Sequence, residues 1–107
     1  MKFTFVLTFL LFLGFSGLQA QNKFSAKILD ATTSKPLFGA NTSVEGTNLG
    51  ATANEEGSIL ITKIPNGPQV IIFSFLGYTS QFLNLNFPLE EEMTFEIRLE
   101  PKGEEME

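Results

Sequence analysis

The residues able to do chemistry in this chain are few. It has neither histidine nor cysteine, so Ser-His-Asp triads, Cys-His pairs and every His- or Cys-based zinc arrangement are excluded. Carboxylates remain. Glu55 and Glu56 are adjacent in a glycine-flanked turn, where neighbouring side chains diverge; paired catalytic carboxylates must face one another across about 5–9.5 Å. Glu90-Glu91-Glu92 offers oxygens of the kind a hard cation such as calcium takes. Three consecutive like charges read more simply as a solvated cluster protecting a sheet edge. The stretch Gly46-Thr47-Asn48-Leu49-Gly50 lacks the lysine and helix that a phosphate-cradling loop requires. No catalytic, cofactor-binding or metal-binding residue is therefore expected.

Two features point to contacts rather than catalysis. Gly77-Tyr78 closes the most apolar segment of the chain, and a tyrosine there can bury its ring and tie its hydroxyl to the backbone, as in the tyrosine corners of sandwiches. Val70, Ile72 and Phe82 fall on the outward positions of two successive strands. If those strands are neighbours, the three side chains form an exposed apolar patch of the kind that marks a partner site.

The elements that must position these residues follow a period of two. Strands are predicted over Phe24–Leu29, Gly39–Glu45, Ala51–Ala53, Ser58–Ile64, Gln69–Phe75, Thr79–Phe87 and Met93–Leu99. Between them lie turns rich in Gly, Pro, Asn and Asp. Pro65-Asn66-Gly67 reads as a three-residue hairpin loop, because Pro68 has no N–H to close a two-residue turn. Gly39, Gly57, Gly67 and Gly77 are structural positions, and the small Gly39-Ala40 pair predicts that a backbone or bulky ring passes close by. With no amphipathic helix, the fold class is all-β, a seven-stranded antiparallel sandwich with Greek-key connections. Its expected core is Phe24, Ala26, Ile28, Val44, Ile59, Ile61, Ile71, Phe73, Phe75, Leu83, Leu85, Phe95 and Ile97.

The first 20 residues read differently. After Met1-Lys2, the run from Phe3 to Phe15 is apolar but short of the ~20 residues that span a bilayer. Small residues follow, and Leu18-Gln19-Ala20 offers a cleavage site of imperfect A-x-A form. Residues 1–20 are thus expected to be a secretory signal peptide, with the mature chain beginning at Gln21. That chain carries six basic and twelve acidic residues, a balance that disfavours nucleic acid and anionic lipid. An exported domain without cysteine must rely on its hydrophobic core, which suits a bacterial envelope. Residues 21–100 form the expected domain and Pro101–Glu107 an acidic, solvated tail.

Taken together, Asp30 through Pro36-Leu37, Gly39-Ala40-Asn41, Gly46 to Gly50, Asn54 to Gly57, Pro65-Asn66-Gly67 and Ser74-Phe75-Leu76-Gly77-Tyr78 resemble the carboxypeptidase-D regulatory-like domain. In that family the domain precedes the plug of many TonB-dependent outer-membrane receptors, including SusC-like nutrient importers. The resemblance implies a transthyretin-like seven-stranded sandwich without catalytic residues; the hydrolases of that fold depend on histidines. Ala53-Asn54 replaces the family's Thr-Asp, Ile59 replaces its usual aromatic, and Thr42 occupies an apolar core position.

The resemblance thus implies a non-catalytic accessory domain on the periplasmic face of the outer membrane, without cofactor. Its partners would be the plug and barrel of a parent receptor and periplasmic energy-transduction proteins, with membrane contact only through that receptor. The parent frame is then expected to continue beyond Glu107. The alternative is a free-standing secreted sandwich that binds protein or carbohydrate, although the chain has a single Tyr and no Trp to serve as sugar platforms.

Overall fold

The computed structural model describes residues 22–103. The expected signal peptide, the expected mature terminus at Gln21 and residues Glu104 to Glu107 lie outside them. Seven strands follow in order: β1 Asn22–Asp30, β2 Asn41–Val44, β3 Gly50–Thr52, β4 Ser58–Ile64, β5 Gly67–Ser74, β6 Gln81–Phe87 and β7 Thr94–Leu99. They form two sheets, β4-β1-β7 and β3-β2-β5-β6, that bury their facing sides as a β-sandwich.

The sandwich is mixed, not antiparallel throughout. β1 pairs antiparallel with β4 but parallel with β7, in the register Ser25 to Thr94 through Asp30 to Leu99. Alternation along a strand reveals which side chains face inward; it carries no information on the direction of the neighbour. The expected hairpin at Pro65-Asn66-Gly67 is likewise replaced. β4 pairs only with β1, while β5 pairs with β2 and β6, so this segment is a corner that carries the chain from one sheet to the other. Gly67 does take the positive φ expected of it, at 105°. The amide of buried Asn22 steadies the corner, donating to the Ile64 carbonyl at 2.6 Å and to Asn66 Oδ1 at 2.9 Å.

A bulge in β4 explains how Ile64 reaches the core. Phe24 pairs with Ile61, but Asn22 pairs with Ile64, so β4 holds one residue more than its partner. Lys63 absorbs it at φ 64°. Ile59 and Ile61 alternate inward, Thr62 and Lys63 both face out, and Ile64 turns in again. Strict alternation would have placed Lys63 in the core.

Phe24 bridges the sheets, its ring 6.0 Å from Phe73 on β5 and 5.2 Å from Phe95 on β7. Such tilted pairs add to the apolar area they bury. Ala26, Ile28, Val44, Ile59, Ile61, Ile71, Phe73 and Ile97 are buried as expected. Phe75, Leu83, Leu85 and Phe95 are only partly covered. Leu29, Leu37, Ala40, Ala53, Ile64, Phe87 and Leu99 complete the core. At its end β1 loses alternation, with Ile28, Leu29 and Asp30 all buried. The following loop folds back on it: Asp30 N–H donates to Lys35 O, Leu37 N–H to Ile28 O, and Leu29 bridges Pro36.

Three glycines bear on close approaches, and at Gly50 a β-carbon would stand 2.8 Å from the Thr42 carbonyl oxygen. Gly39 lies beside Phe75, whose ring atom would sit 3.7 Å from a β-carbon there, so a ring does pass this small pair. Gly57, at φ 79°, is tighter: a β-carbon would stand 2.5 Å from the Ile28 carbonyl oxygen and 3.1 Å from Pro36 Cβ. Backbone order also runs past the last strand. Thr79 N–H donates to Glu100 O at 2.8 Å and Lys102 N–H to Gly77 O at 2.9 Å, so the tail expected from Pro101 begins with held residues.

Candidate interaction surface

The carboxylates considered for chemistry do not converge. Glu55 and Glu56 are exposed in the turn before β4, which Asn54 builds by accepting the N–H groups of Glu56 (2.9 Å) and Ser58 (3.0 Å) on its side-chain oxygen. The amide thus does the capping for which a carboxylate is usual. Among the described residues no three acidic, His or Cys side chains are grouped to hold a metal ion; Glu90, Glu91 and Glu92 project from the β6–β7 loop into solvent.

One carboxylate among the described residues is both buried and engaged. Asp30 ends β1 at 8% exposure and accepts the N–H groups of Thr32 (2.6 Å) and Thr33 (2.9 Å) on one oxygen. Its other oxygen accepts the Tyr78 hydroxyl at 2.5 Å. Tyr78 therefore ties to a side chain and not to the backbone, as a tyrosine corner would have it. The Tyr78 ring packs 5.6 Å from Phe75, and its backbone bridges Pro101. The Tyr78 hydrogen bond, then those of the Thr33 and Thr32 amides, hold the Asp30 carboxyl below the ordinary carboxylate value. The Tyr78 phenol is raised by that same bond, by burial and by the Asp30 charge. Each group favours the form that keeps the bond, so the pair acts as a structural clasp. Asp-x-Thr-Thr after a strand is the sequence signal for the Thr amides; nothing in it points to Tyr78, 48 residues away.

The structure does assemble Val70, Ile72 and Phe82. β5 and β6 are neighbours, with Ile72 directly opposite Phe82 and Val70 opposite Asn84. On its other side Ile72 faces Ser43 of β2. Phe82 is 65% exposed, while Val70 and Ile72 are half-buried. A shallow depression of about 290 Å³ runs beside them, lined by Pro68, Val70, Asn84 and Asn86 among others.

The two outer faces of the sandwich differ in charge. The face of β4-β1-β7 carries Lys23, Lys27, Glu96 and Arg98. Arg98 pairs with Glu96 at 2.8 Å and donates to Ser34 Oγ at 2.9 Å. The outward strand positions of β3-β2-β5-β6 hold Asn41, Ser43, Gly50, Thr52, Pro68, Val70, Ile72, Ser74, Phe82, Asn84 and Asn86. None is ionisable, in a chain of formal net charge −5. Phe38, Leu60, Leu76 and Met93 are also exposed apolar side chains; they lie in loops or on the charged face, and Met93 shares a depression with Leu89 and Phe95.

The sequence profile of the family described as the CarboxypepD_reg-like domain matches residues 24–107. No curated protein matches the sequence. Among solved structures, a chain of a C-terminal interface mutant of the type II Cohesin-X-Dockerin complex from Acetivibrio cellulolyticus superposes with a TM-score of 0.61 at 17% identity, covering 73% of this chain and 56% of that one. The N-terminal interface mutant of that complex gives 0.57 at 15% identity, with 76% and 57% covered. The pilus 2b backbone protein of group B streptococcus gives 0.55 at 17%, with 75% and 41% covered. The chain thus spans less than two thirds of each of these proteins, and likenesses at such identity establish the fold alone.

Proposed function

The chain belongs to the CarboxypepD_reg-like family, and on that premise we propose that it is a non-catalytic docking domain whose contact surface is the outer face of β3-β2-β5-β6. The uncharged face carries this reading. The outward strand positions of β4-β1-β7 carry Lys23, Lys27, Lys63, Glu96 and Arg98, whereas those of β3-β2-β5-β6 leave Val70, Ile72 and Phe82 amid amides and hydroxyls, with Glu45 just beyond the end of β2. Depletion of charge around an aromatic centre is the composition of interface cores. A solvated sheet face has no need of it, as the opposite sheet shows.

The setting we propose is the periplasmic side of the outer membrane, at the N-terminus of a TonB-dependent, SusC-like nutrient receptor. There the transthyretin-like Greek-key domain would contact the plug, the barrel or the periplasmic energy-transducing machinery. The family membership and the leader-like residues 1–20 support this setting. The test has two arms. The source reading frame should continue past Glu107 into plug and barrel sequence; a stop codon there would replace this setting with a free-standing secreted module. In the full-length receptor, Ile72→Thr with Phe82→Thr should leave the amount of folded receptor unchanged and lower substrate uptake. Undiminished uptake would remove the docking role from this face.

A further inference from the structure

We propose that β6 is an acceptor edge, which an extended polypeptide segment of a partner joins as an added strand. Four strands end the two sheets, and three are blunted. β3 has only three residues. β4 is bent by its bulge at Lys63. β7 carries the Glu96–Arg98 ion pair, and the carbonyls of Arg98 and Glu100 are taken by Gln81 Nε2 and Thr79 N–H. β6 has none of these protections. It runs seven residues in unbroken register with β5, without proline, charge or bulge. An edge of this kind presents a row of unpaired N–H and C=O groups that only another strand can satisfy in full.

The side chains along the edge specify what would add. Leu83 and Leu85 point inward yet are only partly buried against the core, as is Phe95 across the gap on β7. The gap is an open seam, and alternate residues of an added strand would close it, so these must be apolar. The intervening residues would lie beside Phe82, Asn84 and Asn86 and extend the uncharged face. Where β6 ends, Glu90 and Glu91 rim a depression of about 430 Å³ floored by Leu89 and Phe95. That rim calls for lysine or arginine at the adjoining end of the segment. A second copy of this acidic chain answers this poorly, since β6 contains no basic residue. The occupant is therefore a segment of alternating apolar residues with a basic end. The inference rests on the docking reading only for the partner being a polypeptide.

The test is amide hydrogen exchange by NMR on the full chain, with the synthetic peptide Lys-Lys-Val-Thr-Val-Thr-Val. Alternate amides of Gln81–Phe87 should exchange about tenfold more slowly with peptide, while those of β3, β4 and β7 are unchanged. N-methylation of the peptide at one alternate set of residues should abolish the effect, and at the other set should not. Replacing its lysines with glutamates, or Glu90 and Glu91 with glutamine, should weaken it. The proposal is overturned by unchanged β6 exchange, by slowing at another edge, or by equal binding of both methylated peptides. It is also overturned if β6 is already protected without peptide in a self-associated chain. These readouts do not involve Ile72, so the outer face and the edge can fail separately.

Discussion

Thr42 offers the sharpest test of the packing argument. It lies on β2 opposite Ala51 of β3 and Phe73 of β5, faces the core at 3% exposure, and its Oγ1 is buried without a hydrogen-bond partner. A hydroxyl stripped of water and left unpaired costs about 1–3 kcal/mol by protein mutational measures. Thr42→Val keeps the branched shape and the χ1 restriction that suit a strand and removes only the polarity. Taking the low end, stability should rise by about 1 kcal/mol, or about 4–8 °C in melting temperature for a domain this size. Thr42→Ser is the control: it keeps the hydroxyl and deletes a methyl group, so it should lose about 0.5–1.5 kcal/mol. Urea unfolding of both variants measures this, and an unchanged m-value would confirm that the denatured state is untouched. A valine variant no more stable than the parent would show that Oγ1 has a partner and that the argument is wrong. A threonine kept where valine is better is ordinary in proteins held only above a stability threshold.

Three further outcomes follow from the geometry. Gly57→Ala should cost about 2 kcal/mol or more, because positive φ strain adds to a β-carbon 2.5 Å from the Ile28 carbonyl oxygen. Gly67→Val has open space around it and should cost about 1 kcal/mol from φ alone; equal losses in thermal melts would contradict this division. Asp30 has a folded pKa below its ordinary 3.8, so its contribution is complete above that value and disappears as pH falls through the folded pKa. Tyr78 is raised above 10.0, so its contribution holds below that value and fades as pH rises through the folded pKa. Asp30→Asn should lower the melting temperature at pH 7 and flatten its acid dependence below pH 3.8; an unaltered acid limb would show that the clasp does not couple to folding.

Most of the fold was legible because period-two patterning reports burial directly. β4 spans the Ser58–Ile64 that the pattern predicts, and Val70, Ile72 and Phe82 share one side of the β5–β6 pair. Pairing was not legible. Pro65-Asn66-Gly67 has the composition of a hairpin, and only the loss of β4–β5 pairing makes it a corner. The parallel β1–β7 ladder joins residues at opposite ends of the domain and leaves no local trace. Lys63 hid the bulge, since a lysine at positive φ has no sequence signature. Asp30 looked like a loop residue because its burial depends on Tyr78 and on the loop folding back over β1. Leu83, Leu85 and Phe95 have the pattern of full core positions yet are only partly buried, a difference that the period of two does not carry.

The size of the patch constrains how the domain can work. Stable complexes between free proteins bury about 800 Å² on each partner, and a few central anchors carry most of the energy. Three apolar side chains, two of them half-buried, cannot supply that area by themselves. Two arrangements would make so small a site useful. In one, the partner lies in the same polypeptide, where tethering raises the effective concentration to the millimolar range for a short linker, and a weak contact is occupied most of the time. In the other, contact spreads from Phe82 to the β6 backbone, adding main-chain hydrogen bonds to the apolar centre. The arrangements separate experimentally. Detached from its parent and mixed with a partner fragment at micromolar concentration, the domain should show no stable complex under the first. Under the second it should bind, and Phe82→Thr should weaken that complex more than Ile72→Thr, because Phe82 belongs to both the face and the edge whereas Ile72 belongs to the face only.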